Sequence, residues 1–121
     1  MMKKILALDD STTMLQSIKL SLFRKGHQVS TFTKGSEALA MLGKEKFDLI
    51  ITDLNMPEMD GITFIQKVRA LPNYKFTPIL VLTTESQAAK KEQARKAGAT
   101  AWITKPFTPE QLLGVVEKIA R

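Results

Sequence analysis

Phe47-Asp48-Leu49-Ile50-Ile51-Thr52-Asp53-Leu54-Asn55-Met56-Pro57 decides the fold of this chain. Phe47 to Thr52 holds a short apolar run, Leu49-Ile50-Ile51, of the kind expected of a strand buried on both faces. It ends on a carboxylate, Asp53, and breaks into a loop. Working outward, the same design recurs. Lys4 to Leu8 is an apolar run ending in Asp9-Asp10, and Pro78 to Leu82 is another, followed by Thr83. Gln28 to Phe32 and Ala101 to Thr104 read as two more strands, the last running into Lys105-Pro106.

Helical patterns separate these runs. From Thr12 to Lys25, Met14, Ile18 and Leu22 recur at helical spacing with Leu15 and Phe23 alongside, and Gly26 stands where a left-handed cap belongs. Ser36 to Leu42 is a short helix ended by Gly43. Gly61 to Leu71 puts Ile65 and Val68 on one face, and Pro72-Asn73 breaks it. Ser86 to Ala97 is rich in Ala, Lys and Gln and closes at Gly98. Thr108, Pro109 and Gln111 supply an N-cap, a first-turn proline and a capping-box partner for a last helix reaching Ala120. Strands and helices in strict alternation predict an α/β protein, a doubly wound parallel sheet of five strands covered by five helices. The 121 residues make one domain, 1–121, without internal repeat or low-complexity segment.

Composition narrows the function classes. With 44% hydrophobic and 25% charged residues the chain has the profile of a soluble globular domain. No apolar run approaches the roughly 20 residues of a membrane span. Met1 to Leu8 begins like a signal peptide, but its apolar stretch is short and Asp9-Asp10 follow where a cleavage site would be, so a cytoplasmic location is expected. The absence of cysteine excludes disulfides, thiolate metal sites and a cysteine nucleophile. The net charge of +6 comes from 18 scattered Lys and Arg. It reads as a solvated basic surface, with an acidic docking partner as the second reading, since Lys90, Lys91, Arg95 and Lys96 make one helix basic. His27, after Gly26, is expected on the surface, and Met41, Met56 and Met59 are expected to pack or line loops.

In open α/β sheets, ligands bind beyond the carboxyl ends of the strands. Those ends carry Asp9, Asp10, Asp53, Thr83 and Lys105. Carboxylates about 4 Å apart repel by roughly 1 kcal/mol in water and about 4 kcal/mol at an effective dielectric of 20. Such a group needs a cation or a basic neighbour, and oxygen-only ligands suit Mg²⁺. Lys105 is expected to bring a second positive charge from the far side. Relieved in this way, one carboxylate stays ionised and nucleophilic. Any one of these residues alone would be an ordinary helix cap; all of them at successive strand ends are not.

Asp9-Asp10, Asp53-Leu54-Asn55-Met56-Pro57 with Gly61, Thr83, and Lys105-Pro106-Phe107 resemble the signature of response-regulator receiver domains, matched from Lys4 to Ile119. The resemblance implies a flavodoxin-like fold with strand order 2-1-3-4-5. It also implies a phosphoacceptor signalling domain rather than an enzyme in the ordinary sense. Such a domain catalyses its own phosphorylation, from phosphohistidine or small donors, and a slow hydrolysis. Asp53 would attack the phosphorus. Mg²⁺, or Mn²⁺ in its place, would be held by Asp10 directly, by Asp9 through water, by Asp53 and by the Asn55 carbonyl. Lys105 would neutralise the phosphoryl group, aimed by a cis bond to Pro106, and Thr83 would donate its hydroxyl. Thr83 and Trp102 would form the switch, although Tyr and Phe are commoner than Trp at that position. Asn55, Thr84 and Glu85 would tune the lifetime.

The segments Leu82-Thr83-Thr84-Glu85-Ser86 and Gly98-Ala99-Thr100-Ala101-Trp102, and an end at Arg121 without an output domain, are similar to single-domain chemotaxis regulators of the CheY type. Their partners are a CheA-type histidine kinase, a flagellar motor switch protein and a phosphatase, met by a monomer away from membrane and nucleic acid. The alternatives within the family are a phosphorelay intermediate passing the group to another histidine, or a different stand-alone regulator. Other classes fit less well. A haloacid dehalogenase-type hydrolase needs Asp-x-Asp where Asp53 is followed by Asn55. A flavodoxin-like cofactor binder needs phosphate loops that are missing, and a nucleic-acid binder needs aromatic residues interleaved with basic ones.

Overall fold

The computed structural model describes residues 2–120. Five strands, β1 (Lys4–Leu8), β2 (Gln28–Phe32), β3 (Leu49–Thr52), β4 (Ile79–Thr83) and β5 (Ala101–Thr104), form one parallel sheet in the order β2-β1-β3-β4-β5. The helices are α1 (Thr12–Phe23), α2 (Gly35–Leu42), α3 (Gly61–Ala70), α4 (Ala88–Ala97) and α5 (Pro109–Ile119), with a 3-10 turn at Pro72–Tyr74. The expected fold class and strand order are what the chain adopts.

The inner strands β1, β3 and β4 are almost wholly apolar because both sheet faces are covered there, while the edge strands β2 and β5 carry more polar, partly exposed residues. Alternate side chains of β3 go to opposite cores. Ile50 joins Phe64, Ile65, Val68 and Val81 on the side of α2, α3 and α4, while Leu49 and Ile51 join Leu15, Ile18, Leu112 and Val116 under α1 and α5. Burying each such side chain contributes about 1.5–3 kcal/mol. Among the described residues no helix is long and apolar enough to cross a membrane.

Several boundaries move for local reasons. α1 stops at Phe23, two residues short of Lys25, where the N–H of Gly26 bonds Phe23 O and Gly26 turns into φ +87°. α4 starts at Ala88 rather than Ser86, because Gln87 has extended backbone (ψ 134°) and stands as the N-cap, its N–H bonded to the Glu85 carboxylate. β4 runs through Thr83 instead of stopping at Leu82. α3 ends at Ala70, with Leu71 extended ahead of Pro72, and α5 ends at Ile119. The capping box of Thr108 and Gln111 is present.

His27 corrects an expectation. It is only 7% exposed, and its Nδ1 accepts the backbone N–H of Lys3, pinning the turn after α1 to the start of β1. Burial, together with Lys3, lowers its pKa, partly offset by Glu117. Met41, Met56 and Met59 pack against the core as expected.

Candidate functional site

The sheet register brings the strand-end residues together. Leu8 pairs with Thr52, and the Asp53 N–H donates to Leu8 O at 3.1 Å, so Asp53 lies beside Asp9. Thr83 pairs with Thr104, and the Lys105 N–H donates to Thr83 O at 2.8 Å, carrying the lysine onto the same edge. One carboxylate oxygen from each of Asp9, Asp10 and Asp53 lies within 4.8 Å of the others. Asp9 and Asp53 are buried, at 2% and 7% exposure, while Asp10 faces solvent.

Lys105 stands inside this acidic group rather than across from it, which corrects the expected placement. Its Nζ is 2.7 Å from Asp9 Oδ2 and 3.7 Å from Asp53 Oδ2. The Lys105–Pro106 peptide bond is cis. Burial pushes the Asp9 pKa up, against the pull of the Lys105 ammonium and the Ser11 N–H. Asp9 thus takes Lys105 on Oδ2 and Ser11 on Oδ1. Asp53 Oδ1 accepts the Leu54 N–H at 2.7 Å, which fixes the carboxylate plane and leaves Oδ2 as the freer oxygen.

The loop after Asp53 is held by its own chemistry. Gly61 opens α3 directly beneath it, its N–H bonded to Leu54 O, and a Cβ there would meet Asp53 O at 2.1 Å. Asp60 caps α3 by accepting the Thr63 N–H, and Glu58 accepts the Ser36 N–H and hydroxyl, tying the loop to the first turn of α2. Asn55 is exposed in this loop and Met56 is half-buried.

On the other side, Thr83 is fully buried and its Oγ1 accepts the Glu85 N–H at 3.2 Å. Thr84 is exposed and Glu85 half-buried in the same loop. Trp102, half-buried on β5, donates its indole N–H to Thr104 Oγ1 at 3.0 Å, and Lys91 Nζ lies 5.9 Å from its ring centroid. Trp102 lines two grooves, one of about 320 Å³ against α4 with Lys91, Arg95 and Ala99, the other of about 570 Å³ against α5 with Gln111 and Lys118.

Three contributors were missed in sequence. Ser11, the cap of α1, reads as a cap alone and gives no hint that its N–H holds Asp9. Glu58 shows no signal because its partner is 22 residues away. Thr104 sits two residues from Trp102 on the same strand face, a spacing that does carry a signal.

The arrangement offers a buried carboxylate, Asp53, beside the Lys105 side chain, with an oxygen-only donor set open to solvent at Asp10. Those donors fit a small hard cation such as Mg²⁺. Residues 5–117 match the family model of the response regulator receiver domain. The chain is 44% identical to a chemotaxis protein CheY homolog of Campylobacter jejuni over 96% of this chain and 91% of the relative. It is 42% identical to chemotaxis protein CheY1 of Helicobacter pylori over 96% and 95%. Among solved structures, chemotaxis protein CheY4 of Vibrio cholerae superposes with a TM-score of 0.94 at 46% identity, covering 98% of this chain and 99% of that one. A buried Asp53 flanked by Asp9, Asp10, Thr83 and Lys105 at one sheet edge therefore stands in a chain that belongs to the response-regulator receiver family.

Proposed function

We propose that Asp53 accepts a phosphoryl group from a histidine kinase and that the phosphorylated chain binds a chemotaxis partner through the α4–β5–α5 face. The observation that carries this reading is the position of Asp53. It is buried, held through Oδ1 by the Leu54 N–H, and flanked at Oδ2 by the Lys105 ammonium.

In this reading, Asp53 Oδ2 attacks the phosphorus of phosphohistidine in line with the departing imidazole nitrogen; the P–N bond breaks as the O–P bond forms. Lys105 moves from Asp9 toward the transferred group and neutralises its oxygens, and the Thr83 hydroxyl donates to one of them. Asp10, Asp9, Asp53 and the Asn55 carbonyl would hold Mg²⁺, or Mn²⁺ in its place. When bound, the metal supplies positive charge to the phosphoryl oxygens and to the crowded carboxylates. Phosphorylation adds close to two negative charges, enough to bias the loop from Thr83 to Glu85 and, through it, Trp102. Asn55, Thr84 and Glu85 border the path of the water that ends the signal.

The chemotaxis assignment draws on the names of the relatives and on the basic α4. Lys90, Lys91, Arg95 and Lys96 are exposed on α4, and Lys91 and Arg95 line one of the two grooves that Trp102 borders, a surface suited to an acidic, partly apolar segment such as one from a motor switch protein. The supplying kinase is of CheA type, and a separate phosphatase resets the switch. A cytoplasmic monomer fits these partners. The test is phosphotransfer. A chemotaxis kinase carrying labelled phosphohistidine, mixed with the chain and Mg²⁺, should lose its label to the chain and not to Asp53→Asn. Label kept by the kinase, or passed equally to the variant, refutes the reading.

A further inference from the structure

Thr104 and Trp102 point to the same face of β5, and the register pairs Thr104 with Thr83 and Trp102 with Val81. Thr104 therefore stands between the buried Thr83 and the indole. Its hydroxyl oxygen takes the indole N–H at 3.0 Å, while Lys91 approaches the ring from α4. Neither Phe nor Tyr carries a ring N–H at this place, so the contact belongs to the tryptophan. We propose that Thr104 is a positioning residue for the switch, its hydroxyl latching Trp102 in the resting orientation, so that the latch must open before the indole turns inward. This rests on the proposed switch role of Trp102.

Giving up one neutral hydrogen bond, partly replaced by water, shifts an equilibrium by about two- to tenfold. The chain has one tryptophan, so its fluorescence reports the latch alone. Thr104→Val removes the acceptor at nearly constant shape; Thr104→Ser keeps it. In the resting protein, Thr104→Val should loosen the indole, seen as faster anisotropy decay, while Thr104→Ser should match the wild type. On titration with beryllofluoride in excess Mg²⁺, Thr104→Val should reach its activated emission at an about two- to tenfold lower concentration than the wild type, and Thr104→Ser should not. Unchanged resting anisotropy in Thr104→Val overturns the latch whatever happens at Asp53, and so does an equal shift in both variants. A ¹⁹F signal of bound beryllofluoride with no change in wild-type emission overturns the switch role of Trp102 and the latch with it. That result leaves phosphoryl acceptance at Asp53 standing, whereas absence of the ¹⁹F signal counts against Asp53 itself.

Discussion

Replacing Lys105 by Met removes the ammonium that sits 2.7 Å from Asp9 and 3.7 Å from Asp53 while keeping most of the side chain's apolar bulk. Asp9 is 2% exposed, so the lost attraction is not made up by solvent. Charges about 4 Å apart at an effective dielectric of 20 interact by about 4 kcal/mol, and removing one partner of a buried pair costs about 3–5 kcal/mol. The cost has a ceiling, because the Asp9 pKa is already raised by burial and Asp9 escapes by taking a proton. The expected loss is therefore about 3 kcal/mol at pH 8 without divalent metal and less at pH 5. With a urea slope of about 2 kcal/mol per molar, the midpoint falls by about 1.5 M at pH 8. Adding Asp9→Asn to Lys105→Met should recover part of that loss, since the more deeply buried carboxylate is then neutral, Asp53 keeps the Leu54 N–H, and the Asn oxygen still serves the Ser11 N–H. Mg²⁺ should stabilise Lys105→Met more than the wild type. A variant as stable as the wild type at pH 8, or a double variant no better than the single, refutes the electrostatic account of the site.

Gly61→Ala should destabilise the domain by about 1–3 kcal/mol and slow phosphoryl acceptance, because the new Cβ would meet Asp53 O at 2.1 Å and Leu54 Cα at 2.7 Å; urea melts and phosphorylation time courses check both effects. His27 gives an acid-side slope. Its folded pKa lies below the ordinary value of 6.5, so the unfolded chain binds more protons just below that pH, and stability present above 6.5 is lost as pH falls through the folded pKa. His27→Asn, which keeps an acceptor for the Lys3 N–H, should flatten that slope in melts from pH 7.5 to 5. Arg69 donates to the carbonyls of Tyr74, Thr77 and Gly98, binding α3 to the loops before β4 and β5. Arg69→Lys should still lose about 2–3 kcal/mol, since one ammonium cannot serve a forked set of acceptors.

Much of this was open to reading from the chain. Alternating buried strands and helices dictate a two-faced parallel sheet, because runs such as Leu49-Ile50-Ile51 have apolar side chains on both faces and need cover on both. Strand ends define the site edge, so Asp9, Asp10, Asp53, Thr83 and Lys105 converge wherever the strands lie parallel. What resisted reading depends on contacts distant in sequence or on direction. His27 looked like a loop residue, yet its burial follows from a backbone N–H that lies 24 residues away. Lys105 was placed across from the acids because spacing shows which edge a side chain reaches and not which neighbour it chooses. The start of α4 follows the extended backbone of Gln87, which its residue type does not reveal.

The central claim is that Asp53 is the nucleophile, and it can be tested without any partner protein. The chain is incubated with Mg²⁺ and acetyl phosphate and its intact mass recorded, alongside Asp53→Asn and a wild-type sample with the metal chelated. One phosphate-sized adduct on the wild type, absent from Asp53→Asn and suppressed by chelation, is the predicted result. A wild type that stays unmodified, or an Asp53→Asn chain that carries the adduct to the same extent, contradicts the account.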